Sequence, residues 1–367
     1  MVDNIRNDKY MQIAVITGVA GQDGVQLLDL LVEKGYFVIG LTRRFIKPLP
    51  QHEASCTYFN GNIADFETAK SLISFALSIS SPNSTQAIEL YHLAALSHVR
   101  ESFHDPTLTI NTNVSGTSNV LEAVRTSLDP DRFRIYIAGS SEMYGNAVVS
   151  PQNETTKFNP YSPYGVSKVL GFELARFYRQ SFSLFVSNGI LFNHESVIRP
   201  KSFVTRKITS YVAKFSVKLV VVMSGESKIA PLQLGSLSVT RDWGWSKDYV
   251  QAMWLILQKS VPIDLVISSG VSTSVRDFVN IAFNCIGVSL SWEGLDLNEK
   301  AYIAGTRVIV VEVNKEFYRP ADGSRLVGNT SRAREEIGWV ASTSLQQIVQ
   351  TMVQHDIDQL DSKKGQK

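Results

Sequence analysis

Ser140-Ser141-Glu142 and, about twenty residues further on, Tyr164-Gly-Val-Ser-Lys168 place two hydroxyls, a carboxylate, a phenol and an amine in one stretch of chain. A phenol and an amine four residues apart on a helix share one face. Beside a nicotinamide, such a pair takes the proton from an alcohol while hydride leaves the carbon that bears it. The nearby ammonium favours the ionised phenol. A carboxylate adds a base for the neighbouring carbon, which plain alcohol oxidation does not need. Once C4 of a sugar is a ketone, its C5 proton is acidic and within the reach of a base such as Glu142. The C6 hydroxyl then leaves as water and hydride returns to C6. The expected catalytic residues are therefore Ser140, bonding the oxygen that becomes the ketone, with Glu142, Tyr164 and Lys168. Ser141 and Glu142 are the candidates for assisting the departure of water.

The nicotinamide itself is implied by Thr17-Gly18-Val19-Ala20-Gly21-Gln22-Asp23-Gly24. This loop follows an apolar strand, Ile13–Thr17, and opens a helix from Gln22 to Lys34 that Gly35 closes. Glycines there let the backbone approach a pyrophosphate whose charge sits on the helix N-terminus. The spacing is GxxGxxG rather than GxGxxG, and its place between strand and helix gives it weight. An acid at the end of the second strand would select NAD. That place instead reads Leu41-Thr42-Arg43-Arg44, with no acid before Glu53. Two guanidiniums suit a 2′-phosphate, so NADP is the expected cofactor.

These groups need a rigid frame, and the first half of the chain predicts one. Strands at Phe37–Leu41, Leu90–Leu93, Phe133–Ala138 and Leu184–Leu191 alternate with helices at Asp65–Ile79, Asn113–Thr126 and Ser162 to about Gln180. That alternation implies a Rossmann-type, doubly wound parallel sheet in an α/β fold, with a smaller, discontinuous α/β substrate-binding region on its C-terminal side. The NADP-binding domain is expected over 11–192 plus about 240–287, and the nucleotide-sugar region over about 193–239 and 288–355. Segments 193–250 and about 288–330 read as irregular, a last helix as around Leu345–Asp358, and 1–10 and 359–367 as flexible tails.

At 367 residues, 44% apolar, 19% charged and with a net charge of +2, the chain is neither disordered nor built for nucleic acid. Cys56 and Cys285 fit no metal or disulfide spacing. No apolar run spans a membrane, and the polar start lacks a signal-peptide core. The expected setting is the cytoplasm, with no metal and no membrane partner.

The motifs resemble the extended short-chain dehydrogenase/reductases, and among them the GDP-mannose 4,6-dehydratases, over about residues 12 to 350. The most specific stretches are the glycine loop, Ser140-Ser-Glu-Met-Tyr-Gly145, Ser162-Pro-Tyr-Gly165, Asn188-Gly-Ile-Leu-Phe-Asn-His-Glu-Ser196, Phe203-Val-Thr-Arg-Lys207 and Arg241-Asp-Trp-Gly-Trp-Ser-Lys-Asp-Tyr249. The related dTDP-glucose dehydratases carry Asp-Glu where this chain has Ser141-Glu142. The resemblance implies Ser140, Glu142 and Tyr164 as catalytic, with Lys168 supporting and also holding the cofactor. It implies Asn62, Ile63, Leu93, Ala94, Ala95 and Ser97 along the adenosine and phosphate track, and His194 and Arg199 as further cofactor contacts in a loop after the sixth strand. For the nucleotide-sugar side it implies Ser141, Asn193, Lys207, Arg241 and Arg319, since a diphosphate wants convergent cations and donors. A GDP-hexose, GDP-mannose in the first instance, is the implied substrate, and a homodimer or homotetramer the implied assembly. The chain departs from the family at Ser140, Asn62, Leu96 and Leu108, and in the substrate rim at Ser236, Ser238, Asp322 and Ser324. Another GDP-sugar, a C4 epimerase and a 4-keto reductase remain alternatives; Glu142 argues for elimination.

Overall fold

In a computed structural model of the chain, the described residues are 12–43, 52–81, 85–223, 229–318 and 325–364. Seven parallel strands form the central sheet: β1 (Gln12–Thr17), β2 (Tyr36–Thr42), β3 (Cys56–Asn60), β4 (Ile88–His92), β5 (Phe133–Ala138), β6 (Phe185–Leu191) and β10 (Asp264–Ile267). Their order is β10-β6-β5-β4-β1-β2-β3. It reverses between β1 and β4, which opens a crevice at the carboxyl ends of those strands. The expected doubly wound fold is the one observed. Register puts Thr17 opposite His92 and His92 opposite Ile137, so the ends of β1, β4 and β5 lie side by side.

Local chemistry explains the helices that flank this edge. In α1 (Gln22–Glu33) Leu27, Leu28 and Leu31 make the buried stripe, and Gly35, at φ +84°, stops the helix. Asp65 caps α2 (Phe66–Ile79), accepting from the Thr68 amide at 3.1 Å. After the short α3 (Val99–His104), Asp105 and Pro106 start α4 (Pro106–Arg125), so this helix begins before the expected Asn113. Ser162 caps α5 (Pro163–Phe182), accepting from the Gly165 amide at 3.0 Å with proline in the first turn. The fourth strand ends at His92 rather than Leu93. Leu72, Ile73, Val120, Val124 and Ala175 close one face of the sheet over Val15, Ile39, Leu90 and Ile135.

Contacts divide the chain into two units. The first comprises Met1–Phe192, Ser246–Ile267 and Gly328–Val340; it includes α7 (Ser246–Leu257) and α9 (Ser331–Ile337). The second comprises Asn193–Trp245, Ser268–Val327 and Ala341–Lys367. Only 246–267 of the expected 240–287 insertion thus belongs with the sheet. The reason is α8 (Val275–Asn284), whose Val275, Phe278, Val279, Ala282 and Phe283 are buried in the second unit's core.

That unit is more regular than its composition implies. It contains β7 (Asn193–Glu195), β9 (Thr240–Trp245) and β11 (Ser272–Ser274) in one sheet. A second sheet orders β12 (Leu290–Glu293), β13 (Lys300–Ile303), β14 (Ile309–Val313) and β8 (Leu232–Leu234). The stretch read as irregular also holds the helix α6 (Val204–Met223), buried through Ile208, Val212 and Phe215. The last helix, α10 (Leu345–Lys364), continues past the expected end at Asp358; Arg206 and Asp356 join α6 to it by a buried 2.9 Å ion pair. Residues 1–10 lie outside the described residues, as does 365–367.

Candidate active site

The glycine loop turns where β1 meets α1. Gly18, at φ +77°, could carry no side chain: a Cβ would sit 2.9 Å from the backbone of Ala94. A Cβ on Gly24 would strike the Gly18 carbonyl. Gly21 caps α1 and brings no side-chain oxygen to the first-turn N–H groups. Those amides and the bare backbone fit a pyrophosphate. Val19 is buried behind the loop, while Ala20 and Gly21 are exposed and Gln22 is half-buried.

The end of β4 closes this cradle. Thr17 Oγ1 accepts from the Ala94 amide at 3.2 Å and meets His92 Nδ1 at 2.9 Å. Leu93 donates its amide to Thr17 O at 3.2 Å. Asn62 is exposed and accepts from the Ala64 amide, Ile63 is buried, Ala95 is half-buried and Ser97 is exposed. Arg43 is exposed just past β2, and Arg44 lies outside the described residues.

Catalytic candidates gather at the end of β5. Ser140 Oγ accepts from the Glu142 amide at 3.2 Å, starting a 3₁₀ turn over Ser141–Met143. Met143 and Tyr144 are fully buried beneath that turn, and Tyr144 donates to Asn153 O at 2.7 Å. Ser140, Ser141 and Glu142 are all buried. Helix α5 presses against the turn: a Cβ on Gly165 would lie 2.6 Å from the Glu142 carbonyl. Glycine beside Tyr164 is therefore the residue that lets the phenol's helix reach the carboxylate's turn. One helical turn on, Lys168 Nζ donates to Ala138 O at 2.7 Å and lies 5.8 Å from the Tyr164 ring centre. Burial pushes the Lys168 ammonium down to about 8, and Asp23 works against that fall.

Two residues of this edge went unnoticed in the sequence. Asn113, on α4, donates to Ser167 Oγ at 2.9 Å and to Leu96 O at 3.2 Å, and accepts from the Leu96 amide at 2.8 Å. It joins the loop after β4 to the helix that bears Tyr164 and Lys168. His92 is the other. Burial, and then the Lys168 charge, push its imidazole down to about 3, so the ring is neutral. Unfolding frees it to take a proton near pH 6.5. The unfolded chain thus binds the extra proton between pH 6.5 and about 3, and stability falls as pH drops through that window. His92→Gln should flatten the fall by about 1.4 kcal/mol per pH unit, read from urea midpoints at a series of pH values. An unchanged slope would mean that His92 titrates normally.

In the second unit, Asn193, His194 and Glu195 lie on β7, paired with Trp243, Gly244 and Trp245, so the expected loop is a strand. His194 is buried. Arg199 meets Glu195 at 3.3 Å and stacks 3.8 Å over Phe203, engagements that hold its guanidinium within the unit. Lys207 donates to Gln233 O at 2.6 Å and stands 4.1 Å over the Phe317 ring, and Arg241 donates to Thr240 O at 2.9 Å. Ser236 and Ser238 bond each other at 3.2 Å. Arg319, Asp322 and Ser324 lie outside the described residues. Among the described residues there is no group of acids, histidines and cysteines fit for a metal, and no helix long and apolar enough to cross a membrane.

Comparison with known proteins matches this architecture. A family model described as GDP-mannose 4,6 dehydratase covers residues 15–352. GDP-mannose 4,6 dehydratase 2 of Caenorhabditis elegans is 39% identical over 359 residues, 94% of this chain and 89% of its own length. The human GDP-mannose 4,6 dehydratase is 36% identical over 362 residues, 95% and 92% of the two chains. Among solved structures, UDP-glucose 4-epimerase from Thermotoga maritima with UDP-glucose superposes at a TM-score of 0.74. It covers 95% of this chain and 100% of that one at 20% identity, a likeness that carries the fold alone.

Proposed function

The chain belongs to the GDP-mannose 4,6-dehydratase family, and from that premise we propose how its residues perform the reaction. The enzyme is an NADP-dependent hydro-lyase that converts GDP-mannose to GDP-4-keto-6-deoxymannose. When bound, the dinucleotide supplies the acceptor for hydride from C4 and the donor that returns it to C6. The glycine loop from Gly18 to Gly24 holds the pyrophosphate, Asn62, Ile63 and Leu93 to Ala95 line the adenosine side, and Arg43 and Arg44 meet the 2′-phosphate. Tyr164 takes the proton of the C4 hydroxyl, and Ser140 steadies that oxygen as it becomes a carbonyl. Glu142 removes the C5 proton and, with Ser141, gives a proton to the departing C6 hydroxyl; as hydride returns to C6, C5 takes up a proton, the one Tyr164 took from the C4 hydroxyl or its solvent equivalent. The sum is loss of one water with no net redox change. Asn193, Lys207, Arg241 and Arg319 serve the nucleotide diphosphate, and His194 and Arg199 the cofactor. The proposed working form is a cytoplasmic homodimer or homotetramer.

What carries this reading is the buried Ser140–Glu142 turn set against the first turn of the Tyr164–Lys168 helix, within a chain matched over residues 15–352. The test is to incubate the purified protein with GDP-mannose, adding no cofactor, and follow the sugar nucleotide by mass spectrometry. Loss of the mass of one water is the expected outcome. An unchanged mass with altered stereochemistry at C4 would replace dehydration by epimerisation. Changing Arg43 and Arg44 together to alanine should weaken NADP about tenfold or more, one to two charge-assisted contacts, and leave NAD affinity nearly unchanged in the apoprotein. Equal weakening of both would remove the arginines from the 2′-phosphate site.

A further inference from the structure

We propose that residues 146–159 form a fixed strap between the outer edge of the sheet and the catalytic turn, with Tyr144 and Glu154 as the positioning residues through which it holds Glu142 toward the C5 proton. This rests on the reading of Glu142 as the C5 base. The strap makes up most of the chain between the Ser141–Met143 turn and α5, so whatever fixes it also fixes those two elements relative to each other. Its neck is closed beside the turn. The Asn159 amide donates to Met143 O at 3.0 Å, the Asn146 amide to Asn159 O at 3.1 Å, and Asn159 Nδ2 to Asn146 O at 3.2 Å. Gly145, at φ +49°, permits this crossing, since a Cβ there would strike the Asn159 carbonyl. On the returning limb, the Phe158 ring lies 5.4 Å from that of Tyr144 and 5.0 Å from that of Phe172 on α5. The limb therefore packs on the turn and on the helix of Tyr164 together.

The far end of the strap is anchored at the last strand of the sheet. β10 has β6 on one side only, so backbone groups along its other side need partners from elsewhere. Glu154 Oε1 accepts from the amide of the fully buried Val266 at 2.8 Å, a charge-assisted bond. Gln152, also fully buried, bridges to Gly328 and accepts at its carbonyl from the Asn329 amide at 2.8 Å. The residue between these two anchors receives the bond from the turn: Tyr144 donates to Asn153 O at 2.7 Å. A continuous path thus runs from Val266 through Glu154 and Asn153 to Tyr144, two residues from Glu142. Tyr144 is fully buried beneath the turn, so it acts through Glu142 rather than on the substrate. Burial, and then the Glu154 charge, push its phenol well above the usual range, so it remains a donor to Asn153 at any working pH.

The test uses the full-length holoenzyme with Tyr144→Phe, Glu154→Ala and Glu154→Gln, each checked for bound NADP. Tyr144→Phe keeps the ring and deletes only the bond to Asn153 O. It should lower kcat about tenfold, short of the roughly hundredfold that a misplacement of about 1 Å can cost, with KM for GDP-mannose unchanged. The loss should fall on exchange of the C5 hydrogen in deuterated water. Reduction of bound NADP on mixing with GDP-mannose, which reads C4 oxidation, should keep its rate. Glu154→Ala should act the same way by about threefold and should speed amide exchange at Val266. Glu154→Gln, which keeps an oxygen for that amide, should restore both. Combination with Glu142→Gln separates the strap from the base: if the strap acts through Glu142, adding Tyr144→Phe leaves the residual dehydration of Glu142→Gln unchanged. An ordinary kcat in Tyr144→Phe, an equal slowing of C4 oxidation, or losses that multiply in the double variant would each overturn the proposal, and with C5 exchange still abolished by Glu142→Gln the base would stand. Dehydration by Glu142→Gln at the ordinary rate would overturn both.

Discussion

Glu142→Gln is expected to fold, to keep its bound NADP and to lose roughly a thousandfold in kcat, within the ~10²–10⁴ range of a removed general base. Glutamine preserves the side chain's volume, and the 3₁₀ turn is held by the Ser140 hydroxyl, the Glu142 amide and the buried Met143 and Tyr144, none of which the change touches. What disappears is the one group assigned to the C5 proton. The loss should therefore be selective. Oxidation at C4, assigned in the proposal to Tyr164 and Lys168, should continue, while exchange of the C5 hydrogen with solvent should cease. In deuterated water the unaltered enzyme should give product labelled at C5, and the variant should give almost none. Dehydration by Glu142→Gln at the ordinary rate would remove this carboxylate from the mechanism. It would also reopen the epimerase reading, since only elimination requires a base at C5.

How far such residues can be found without coordinates depends on the separation of their partners. The turn at Ser140 and the helix at Ser162 announce themselves locally: an apolar strand ends just before the first, and a serine-proline cap opens the second. Asn113 and His92 do not. Their hydrogen-bond partners, Ser167 and Thr17, lie 54 and 75 residues away, and neither residue stands in a motif that names its role. Only the side-by-side ends of β1 and β4, and the packing of α4 on α5, bring them to the edge where the chemistry is proposed.

The same reasoning separates the helices and strands. The strands β1, β2, β5 and β6 are nearly all buried and read as apolar runs, whereas β3 at the sheet's edge is half exposed and has no such run. In α6 the many β-branched residues and scattered Lys, Ser and Thr disguise a helix. Its helical period shows in the buried positions Ile208, Val212 and Phe215, spaced by four and three residues, and these are recognisable as one face only against the core they enter. Local propensity alone makes this region look irregular, whereas tertiary packing decides its structure. The last helix continues to Lys364, past the expected end at Asp358, because the mostly polar residues after Asp358 show no apolar period by which a helix is read.

Tyr164→Phe should cost about as much as Glu142→Gln, roughly a thousandfold in kcat, but at an earlier step. The ring stays in its buried place and only the hydroxyl is lost, so C4 oxidation itself should fail and no C5 exchange should follow. Lys168→Met makes the pair separable. In the proposed mechanism the ammonium assists Tyr164, and it bonds Ala138 O at the end of β5, so its loss should lower kcat and loosen the cofactor together. If Lys168 works on the proton through Tyr164, the double variant should be scarcely slower in C4 oxidation than Tyr164→Phe alone, because groups acting as a unit do not add. Multiplying losses would mean that the two act independently on the substrate. Retained oxidation in Tyr164→Phe, read as normal C5 exchange, would assign the C4 proton to another group. Ser140, within the same buried turn, would then be the residue to change next.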